Sequence, residues 1–168
     1  MSNEALQLSP SDMLHADTNQ YLTFMLNGEE YGVEILRVQG IQGWDTVTPI
    51  PSSPRYVLGV MNLRGAIVPI IDLRKRFDMD SIEFGPTTVI IVVRVESTDK
   101  GRTIGMVVDA VSEVYRVDEQ TVQAMPDFGG SVRADFIKGL STVDDKMLIL
   151  LDIDKLLTIK EVAAVAAA

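Results

Sequence analysis

The chain repeats part of its own sequence, and this repeat restricts the possible folds more than any other feature. Aligning residues 31–41 with residues 104–114 pairs Gly32 with Gly105 and Ile41 with Val114, at an offset of 73 residues. Residues 58–77 then align without a gap with residues 138–157, at an offset of 80, so the second copy carries seven extra residues between the blocks. A duplicated chain of this kind is expected to fold twice into the same small unit.

The residue pattern within each copy indicates β-structure, because short β-branched runs are separated by Gly, Pro, Asn and Asp. The first two runs flank Asn27-Gly28, a pair favoured in tight hairpins. Strands are predicted over Tyr21–Leu26, Glu30–Leu36, Thr46–Ile50, Gly59–Leu63, Ala66–Ile71, Thr87–Val95, Ile104–Val108, Val111–Val117 and Lys146–Ile153. A C-terminal helix is predicted over Asp152–Ala167, with Asp152 or Asp154 as its cap, and a short helical turn over Asp72–Phe77.

Two copies of an all-β unit of about 60–70 residues predict two small barrels or sandwiches related by a pseudo-twofold. The chain is accordingly divided into a flexible tail, residues 1–18, a first unit, residues 19–82, and a second unit with the C-terminal helix, residues 83–168. Each unit is too small for a deep cleft, so the junction between the two units is the expected concave site.

Charge and composition exclude several classes of protein. The formal charge is −9, with 24 acidic and 15 basic residues and no basic stripe, so nucleic-acid binding is not expected. The absence of Cys excludes disulfides and thiolate metal sites, which fits a reducing compartment. Residues 1–18 lack the features of a secretory signal, and the longest apolar runs are of strand length. We therefore expect a cytoplasmic protein without direct membrane insertion.

The sequence offers no catalytic constellation. The single histidine, His15, lies in the predicted tail, and no GxSxG, GxxxxGK[ST] or GxGxxG motif is present. The carboxylate clusters at residues 78–80, 144–145 and 152–154 fit solvated turns or a helix cap better than an EF-hand. The chain is therefore predicted not to be an enzyme and to need no cofactor or metal.

An arginine interrupts an apolar run in "VMNLRGAIVPIIDLR", residues 60–74. The second copy places Asp144-Asp145 at the same point, so a solvated turn is predicted in both copies. Arg64 is then either a solubilising turn residue or a donor to a carboxylate of a partner protein. Phe128, on a segment longer in the second copy, is either buried or an anchor for a partner, and Val38 and Val114 belong either to the core or to a groove.

Five segments of the sequence closely resemble the CheW family, the bacterial chemotaxis coupling proteins. They are "YLTFMLNGEEYGVEILRVQGI", "VTPIPSSPRYVLGVMNLRGAIVPIIDLRKRF", "TVIIVVRV", "IGMVVDAVSEV" and "KMLILLDIDKLL". The resemblance covers about Gln20 to Leu157, and "GVMNLRGAIVPIIDLR" is specific to this family and to related domains of the chemotaxis kinase.

The resemblance implies two SH3-like five-stranded β-barrels and no enzymatic activity. It also implies an adaptor, or scaffold, that ties the cytoplasmic tip of a chemoreceptor to the regulatory domain of the CheA histidine kinase in signalling arrays. A receptor helix would dock in a groove between the barrels. The protein would be cytoplasmic and recruited to receptor arrays.

The resemblance also implies roles for particular residues. Those expected to bind the receptor are Val38, Gly59, Arg64, Val114 and Gly139. Those expected to bind the kinase are Ile35, Asp127 and Phe128.

The chain departs from the family pattern at Gly40, where the family usually has Glu and the second copy has Glu113. This difference could change affinity or choice of partner. Two alternative functions remain at this point: an adaptor for another receptor–kinase pathway, or a sensor that binds a small ligand in the cleft between the barrels.

Overall fold

The computed structural model describes residues 19–96, 101–126 and 134–157. These residues contain ten strands: β1 (Gln20–Leu26), β2 (Glu29–Glu34), β3 (Val38–Gly43), β4 (Val57–Leu63), β5 (Ala66–Asp72), β6 (Val89–Val95), β7 (Arg102–Val108), β8 (Ala110–Arg116), β9 (Ile137–Val143) and β10 (Lys146–Leu151). The two short helices are α1 (Leu73–Arg76) and α2 (Ile153–Leu157), and three-residue 3-10 turns cover Ile35–Arg37, Glu119–Thr121 and Ala134–Phe136.

The strands form two five-stranded sheets, which confirms the predicted all-β fold of two SH3-like barrels. One sheet has the order β3-β6-β7-β5-β4 and carries Arg64, so we call it the Arg64 barrel. The other has the order β8-β1-β2-β10-β9 and carries Ser141, so we call it the Ser141 barrel.

The strand order differs from the predicted division of the chain at residues 82 and 83. The Arg64 barrel combines β3, β4 and β5 with β6 and β7, whereas the Ser141 barrel combines β1 and β2 with β8, β9 and β10. Each barrel therefore takes strands from both units, because β2 pairs in parallel with β10 and β5 pairs in parallel with β7. The predicted tail, residues 1–18, and the part of the predicted C-terminal helix beyond Leu157 lie outside the described residues.

The sequence repeat reappears as a symmetry of strand pairing. Replacing β1–β5 by β6–β10, and the reverse, converts the order of one sheet into that of the other. Ile70 is opposite Gly105 in the Arg64 barrel, and Leu150 is opposite Gly32 in the Ser141 barrel. These two pairs are equivalent in the repeat, as a pseudo-twofold relation requires.

The core explains why several strands read as unbroken apolar runs. Along β6, Ile90 and Val92 pack in the interior of the Arg64 barrel, while Ile91 and Val93 pack in a core that both sheets share. In β10, Leu150 belongs to the interior of the Ser141 barrel and Leu151 to the shared core. A strand buried on both faces has no polar positions to alternate with, so the shared core joins the barrels into one packed body.

The strand prediction differs from the structure at three places. The strands β3 and β9 were not predicted, and the predicted strand Thr46–Ile50 forms only one bridge, between Thr48 and Val60. Two prolines flank Ile50 and supply no N–H group for a ladder. The hairpin at Asn27-Gly28 is confirmed, with positive φ at both turn residues.

A salt bridge with a backbone hydrogen bond ties the end of β5 to the Ser141 barrel. The guanidinium group of Arg74 donates two hydrogen bonds to Asp109, at 2.8 and 2.7 Å. The N–H of Asn27, in the β1–β2 turn, donates to Oδ2 of the same carboxylate at 2.9 Å. Asp109 therefore links α1, the β7–β8 connection and the β1–β2 hairpin.

An equivalent arrangement, with the charges exchanged, occurs in the other half. Arg37, just before β3, donates to both carboxylate oxygens of Asp154 in α2, at 2.9 and 2.6 Å. The N–H of Glu96, after β6, donates to Asp154 at 2.9 Å. In one copy the arginine lies on the helix, and in the other it lies on the connection before the third strand. The interaction is thus preserved although neither residue type is.

The two carboxylates should make the fold sensitive to acid. Burial would raise the pKa of Asp109 and of Asp154, but the hydrogen bonds from arginine and backbone N–H groups outweigh it and lower both pKa values. Since the unfolded chain then binds protons more readily, the stabilisation is present above the ordinary carboxyl pKa of about 3.9 and is lost as the pH falls through and below it. Asp72 acts in the opposite direction, because burial raises its pKa.

We therefore expect the free energy of unfolding to fall on acidification below about pH 4. The double variant Asp109→Asn/Asp154→Asn should be less stable at pH 7 and should lose less stability between pH 5 and 3 than the original chain. Urea unfolding at a series of pH values measures both effects. Parallel pH profiles for the two proteins would contradict the assignment.

Removal of one guanidinium tests the same interaction at neutral pH. Arg37→Gln should lower the free energy of unfolding by about 1–3 kcal/mol, the scale of a lost hydrogen bond to a charged group. The matched control is Arg94→Gln, because Arg94 forms only an exposed pair with Glu96 and such pairs contribute about 0–1 kcal/mol. Equal losses in chemical denaturation would mean that the partly buried pair of Arg37 and Asp154 has no special role.

Candidate functional site

Arg64 lies at the tip of the β4–β5 hairpin. Arg64 and Gly65 both have positive φ, 53° and 90°, as in a type I′ turn, and Oδ1 of Asn62 accepts a hydrogen bond from the N–H of Gly65 at 2.9 Å. Positive φ is uncommon for a residue other than glycine. The Arg64 side chain is exposed and has no hydrogen bond or ion pair within the described part of the chain. Its guanidinium group is therefore available to a partner.

The equivalent turn in the other barrel is formed by Asp144 and Asp145, with φ of 52° and 63°. Both residues are exposed. The prediction of a solvated turn in both copies is thus confirmed. The turn geometry belongs to the fold, whereas the charge at the tip differs between the copies.

A cavity of about 740 Å³ lies beside Arg64. Its walls come from β3, the β4–β5 hairpin, β6 and the start of β7, all in the Arg64 barrel. Two exposed apolar side chains, Ile41 (46% exposed) and Ile67 (61% exposed), line it together with the cations of Arg64 and Arg102. The cavity thus combines apolar surface with two cations and with one carboxylate, that of Asp45. It lies on one barrel, not at the junction where the sequence predicted the concave site.

Gly40 forms part of the β3 wall of this cavity. A Cβ atom at this position would meet no atom within 4 Å. The structure therefore has room for a larger side chain such as Glu, and the glycine leaves this wall without a carboxylate.

Gly59 and Gly139 occupy equivalent places in β4 and β9, where another segment crosses the strand closely. A Cβ at Gly59, whose φ is +147°, would collide with the backbone of Thr48, and a Cβ at Gly139 would collide with Val122 and with the backbone of Gln123. The crossing segments pair with the residues that follow, through Thr48–Val60 and Gln123–Leu140 hydrogen bonds of 2.7–2.9 Å. Neither glycine lines the cavity.

The remaining predicted site residues are not brought to the cavity. Val38 is half-buried against the shared core, Val114 is buried within it, and Ile35 is half-buried in the turn between β2 and β3. Asp127 and Phe128 lie outside the described residues. Of the predicted residues, Arg64 alone is shown beside the cavity. Sequence reasoning missed Ile41, Ile67 and Arg102, although the apolar residues next to a charged turn were a signal.

Within the described residues, no group of three or more His, Cys, Asp or Glu side chains is arranged to hold a metal ion. None of the helices in this part of the chain has the length and hydropathy needed to span a membrane.

Comparison with known proteins identifies the family. A model described as a CheW-like domain matches residues 20–161. The chain is 42% identical over 146 residues to chemotaxis protein CheW of Klebsiella aerogenes, covering 87% of this chain and 86% of that protein. It is 36% identical over 142 residues to chemotaxis protein CheW of Rhizobium meliloti, covering 84% and 89%.

A solved structure agrees with these matches. The scaffolding protein TtCheW from Thermoanaerobacter tengcongensis superposes with a TM-score of 0.76 at 32% identity, covering 86% of this chain and 91% of that one. This family comprises adaptor and scaffold proteins and is not a known enzyme family. The family-model match over most of the chain, the 42% identical relative and the similar solved structure together show that this chain belongs to the CheW-like family.

Proposed function

We propose that this chain is a chemotaxis adaptor that couples the cytoplasmic tip of a chemoreceptor to the regulatory domain of the CheA histidine kinase, in arrays to which it is recruited from the cytoplasm. Family membership supports this function. The observation that carries it is the exposed, unpaired guanidinium of Arg64 beside a cavity that contains exposed Ile41 and Ile67. Apolar surface with a charged donor at its edge suits the docking of an amphipathic helix.

The two kinds of surface would contribute differently. Burial of Ile41 and Ile67 against a receptor helix would supply the apolar contact area. Arg64 would donate hydrogen bonds to a receptor carboxylate, which fixes the register of the helix and selects for an acidic residue. Arg102 adds a second positive charge to the same cavity.

Four other residues would support receptor binding without forming the contact. Gly59 and Gly139 would allow the crossing segments to lie close to β4 and β9. Val38 and Val114 would fix β3 and β8 through the shared core. Substitution of any of these four residues would therefore change the shape of the receptor site, while the side chains that contact the receptor stay the same.

The kinase would bind elsewhere. Ile35 lies beside the exposed side chain of Leu36, in the turn between β2 and β3. This apolar surface would face one kinase domain, and the segment of Asp127 and Phe128 would contact another. Separate receptor and kinase surfaces are what an adaptor needs in order to bind both partners at once.

Arg64→Ala should weaken receptor binding by about 1–3 kcal/mol, or about tenfold to a hundredfold in Kd, with the fold intact. The measurement is co-sedimentation with receptor signalling fragments. In a mixture of those fragments and the kinase, the chain should increase kinase autophosphorylation, and Arg64→Ala should remove most of that increase.

Arg55→Ala serves as the matched control, because Arg55 is exposed and does not line the cavity. Equal receptor binding by the two variants would exclude the proposed role of Arg64. Stabilisation by small molecules without any kinase activation would instead favour a ligand-binding sensor, since a ligand raises Tm by mass action.

Phe128→Ser should leave receptor binding unchanged and reduce incorporation of the kinase into arrays. The segment that carries Phe128 is longer in the second copy of the repeat than in the first. An apolar side chain on it would therefore anchor a partner that the first copy does not bind. Sedimentation of the three-component mixture, with both partners quantified, separates the two effects. Full kinase incorporation by the variant would show that Phe128 is not an anchor.

A further inference from the structure

The repeat pairs three residues that line the cavity of the Arg64 barrel, Met61, Val68 and Thr103, with Ser141, Leu148 and Glu30 of the other barrel, and we call these two equivalent regions the mouths of the barrels. The mouth of the Ser141 barrel contains two buried oxygen atoms that accept no hydrogen bond within the described residues. Glu30, in β2, is 8% exposed, and its Oε2 has no partner. Ser141, in β9, is 4% exposed, and its Oγ has no partner. Leu148 lies opposite both residues in the strand register, so the three side chains share one face. A buried carboxylate is costly unless a donor or an opposite charge compensates it.

Further carboxylates surround the same mouth. Burial raises the pKa of Tyr115 well above its ordinary value, and so do a hydrogen bond with Glu113 and the negative charges of Glu113, Glu30 and Asp144. Three acidic side chains, one from β2, one from β8 and one from the β9–β10 turn, therefore act on one hydroxyl group. The mouth is a region of concentrated negative charge with unused acceptors beneath it.

The equivalent mouth of the Arg64 barrel shows that the fold does not require this acidity. Equivalent backbone positions there carry uncharged or cationic residues. The repeat pairs Glu30 with Thr103, Ser141 with Met61, Glu113 with Gly40 and Asp144 with Arg64. Since the two barrels share strand order and turn geometry, the difference lies in side-chain chemistry alone.

These acceptors suit an ammonium group better than a metal ion. Within the described residues, the carboxylates of this mouth do not form a group of three or more that could hold a metal ion. An ammonium group has three donors and needs no fixed coordination geometry, and the long apolar stem of lysine can cross a barrel rim while its charge reaches buried acceptors. Lys146 is exposed on the strand that carries Leu148, so the chain's own cation lies at the edge of the mouth.

We propose that the mouth of the Ser141 barrel is a docking site for a lysine side chain of a partner protein, with Glu30, Ser141 and Glu113 as its acceptors. The negative charges of the mouth are complementary to the positive charge of the lysine ammonium group. The site lies on the barrel opposite to the Arg64 cavity, and it does not depend on the adaptor function proposed above. It would give the chain a second docking surface, which binds a cation, whereas Arg64 would bind a carboxylate.

The probe is a short amidated peptide with a single lysine, and its control is the same peptide with that lysine acetylated. Binding to the full chain is followed by NMR of backbone amides and of the Tyr115 ring. The lysine peptide should shift the resonances of Glu30, Ser141 and Tyr115. Glu30→Gln, which is nearly isosteric, should weaken binding about tenfold, the scale of one lost charged hydrogen bond. Ser141→Ala should weaken it less.

Glu83→Gln is the matched control, because it removes one negative charge from an exposed residue outside both mouths. It should bind the lysine peptide as the original chain does. Lys146→Met should bind the peptide more tightly, since the competing cation is removed. Equal affinities of the Glu30 and Glu83 variants would attribute binding to the overall charge and overturn the proposal. Equal binding of the acetylated peptide would overturn it as well.

Discussion

The parallel pairing of β2 with β10 and of β5 with β7 is the constraint on which the rest of the structure depends. Parallel partners need a long connection between them, and here each pair joins strands from different halves of the duplicated sequence. Neither half alone contains the five strands of one barrel. The shared core and the two arginine–aspartate pairs follow from this exchange, because both lie where strands pass from one barrel to the other. Pairing over such sequence distances is expected to slow folding, because loop-closure entropy is lost before the contacts form.

The repeat made much of this fold predictable. Alternation, turn residues and the Asn27-Gly28 hairpin located eight strands to within a few residues, and the repeat identified the equivalent positions that face each other across the parallel pairs. The strand β3 was missed because two glycines and two glutamines weaken its apolar signal. The repeat alone could have predicted β3, since residues 38–41 align with residues 111–114, where a strand was predicted. The same argument would have found β9 from β4.

The domain boundary could not be derived in that way. A repeat shows which segments are alike, but two contiguous barrels and two barrels with exchanged strands contain the same segments. The choice depends on which strand pairs with the open edge of β2 and of β7, and the repeat does not specify that pairing. The same error affected the site. A cleft was expected between two separate units, but Phe24 and Val33 of one barrel pack with Ile71 and Ile91 of the other in a single core.

Arg64 could be recognised from the sequence because a charge within an apolar run at a turn must face solvent. The cavity beside it could not be recognised, since its walls come from strands that are distant in sequence.

The duplication explains why such sites can differ between the barrels. Positions that fix the frame keep their character in both copies: Gly32 matches Gly105, and Ile70 matches Leu150. Positions at the rims carry no such restriction, because the turn backbone at residue 64 and at residue 144 is the same whichever charge it bears. A scaffold that binds different partners at its two ends needs this independence, since heterologous contacts require two unlike surfaces on one rigid body. The strands exchanged between the two halves of the sequence join the barrels into one rigid body. The turn residues at the rims differ between the barrels and give that body two unlike surfaces.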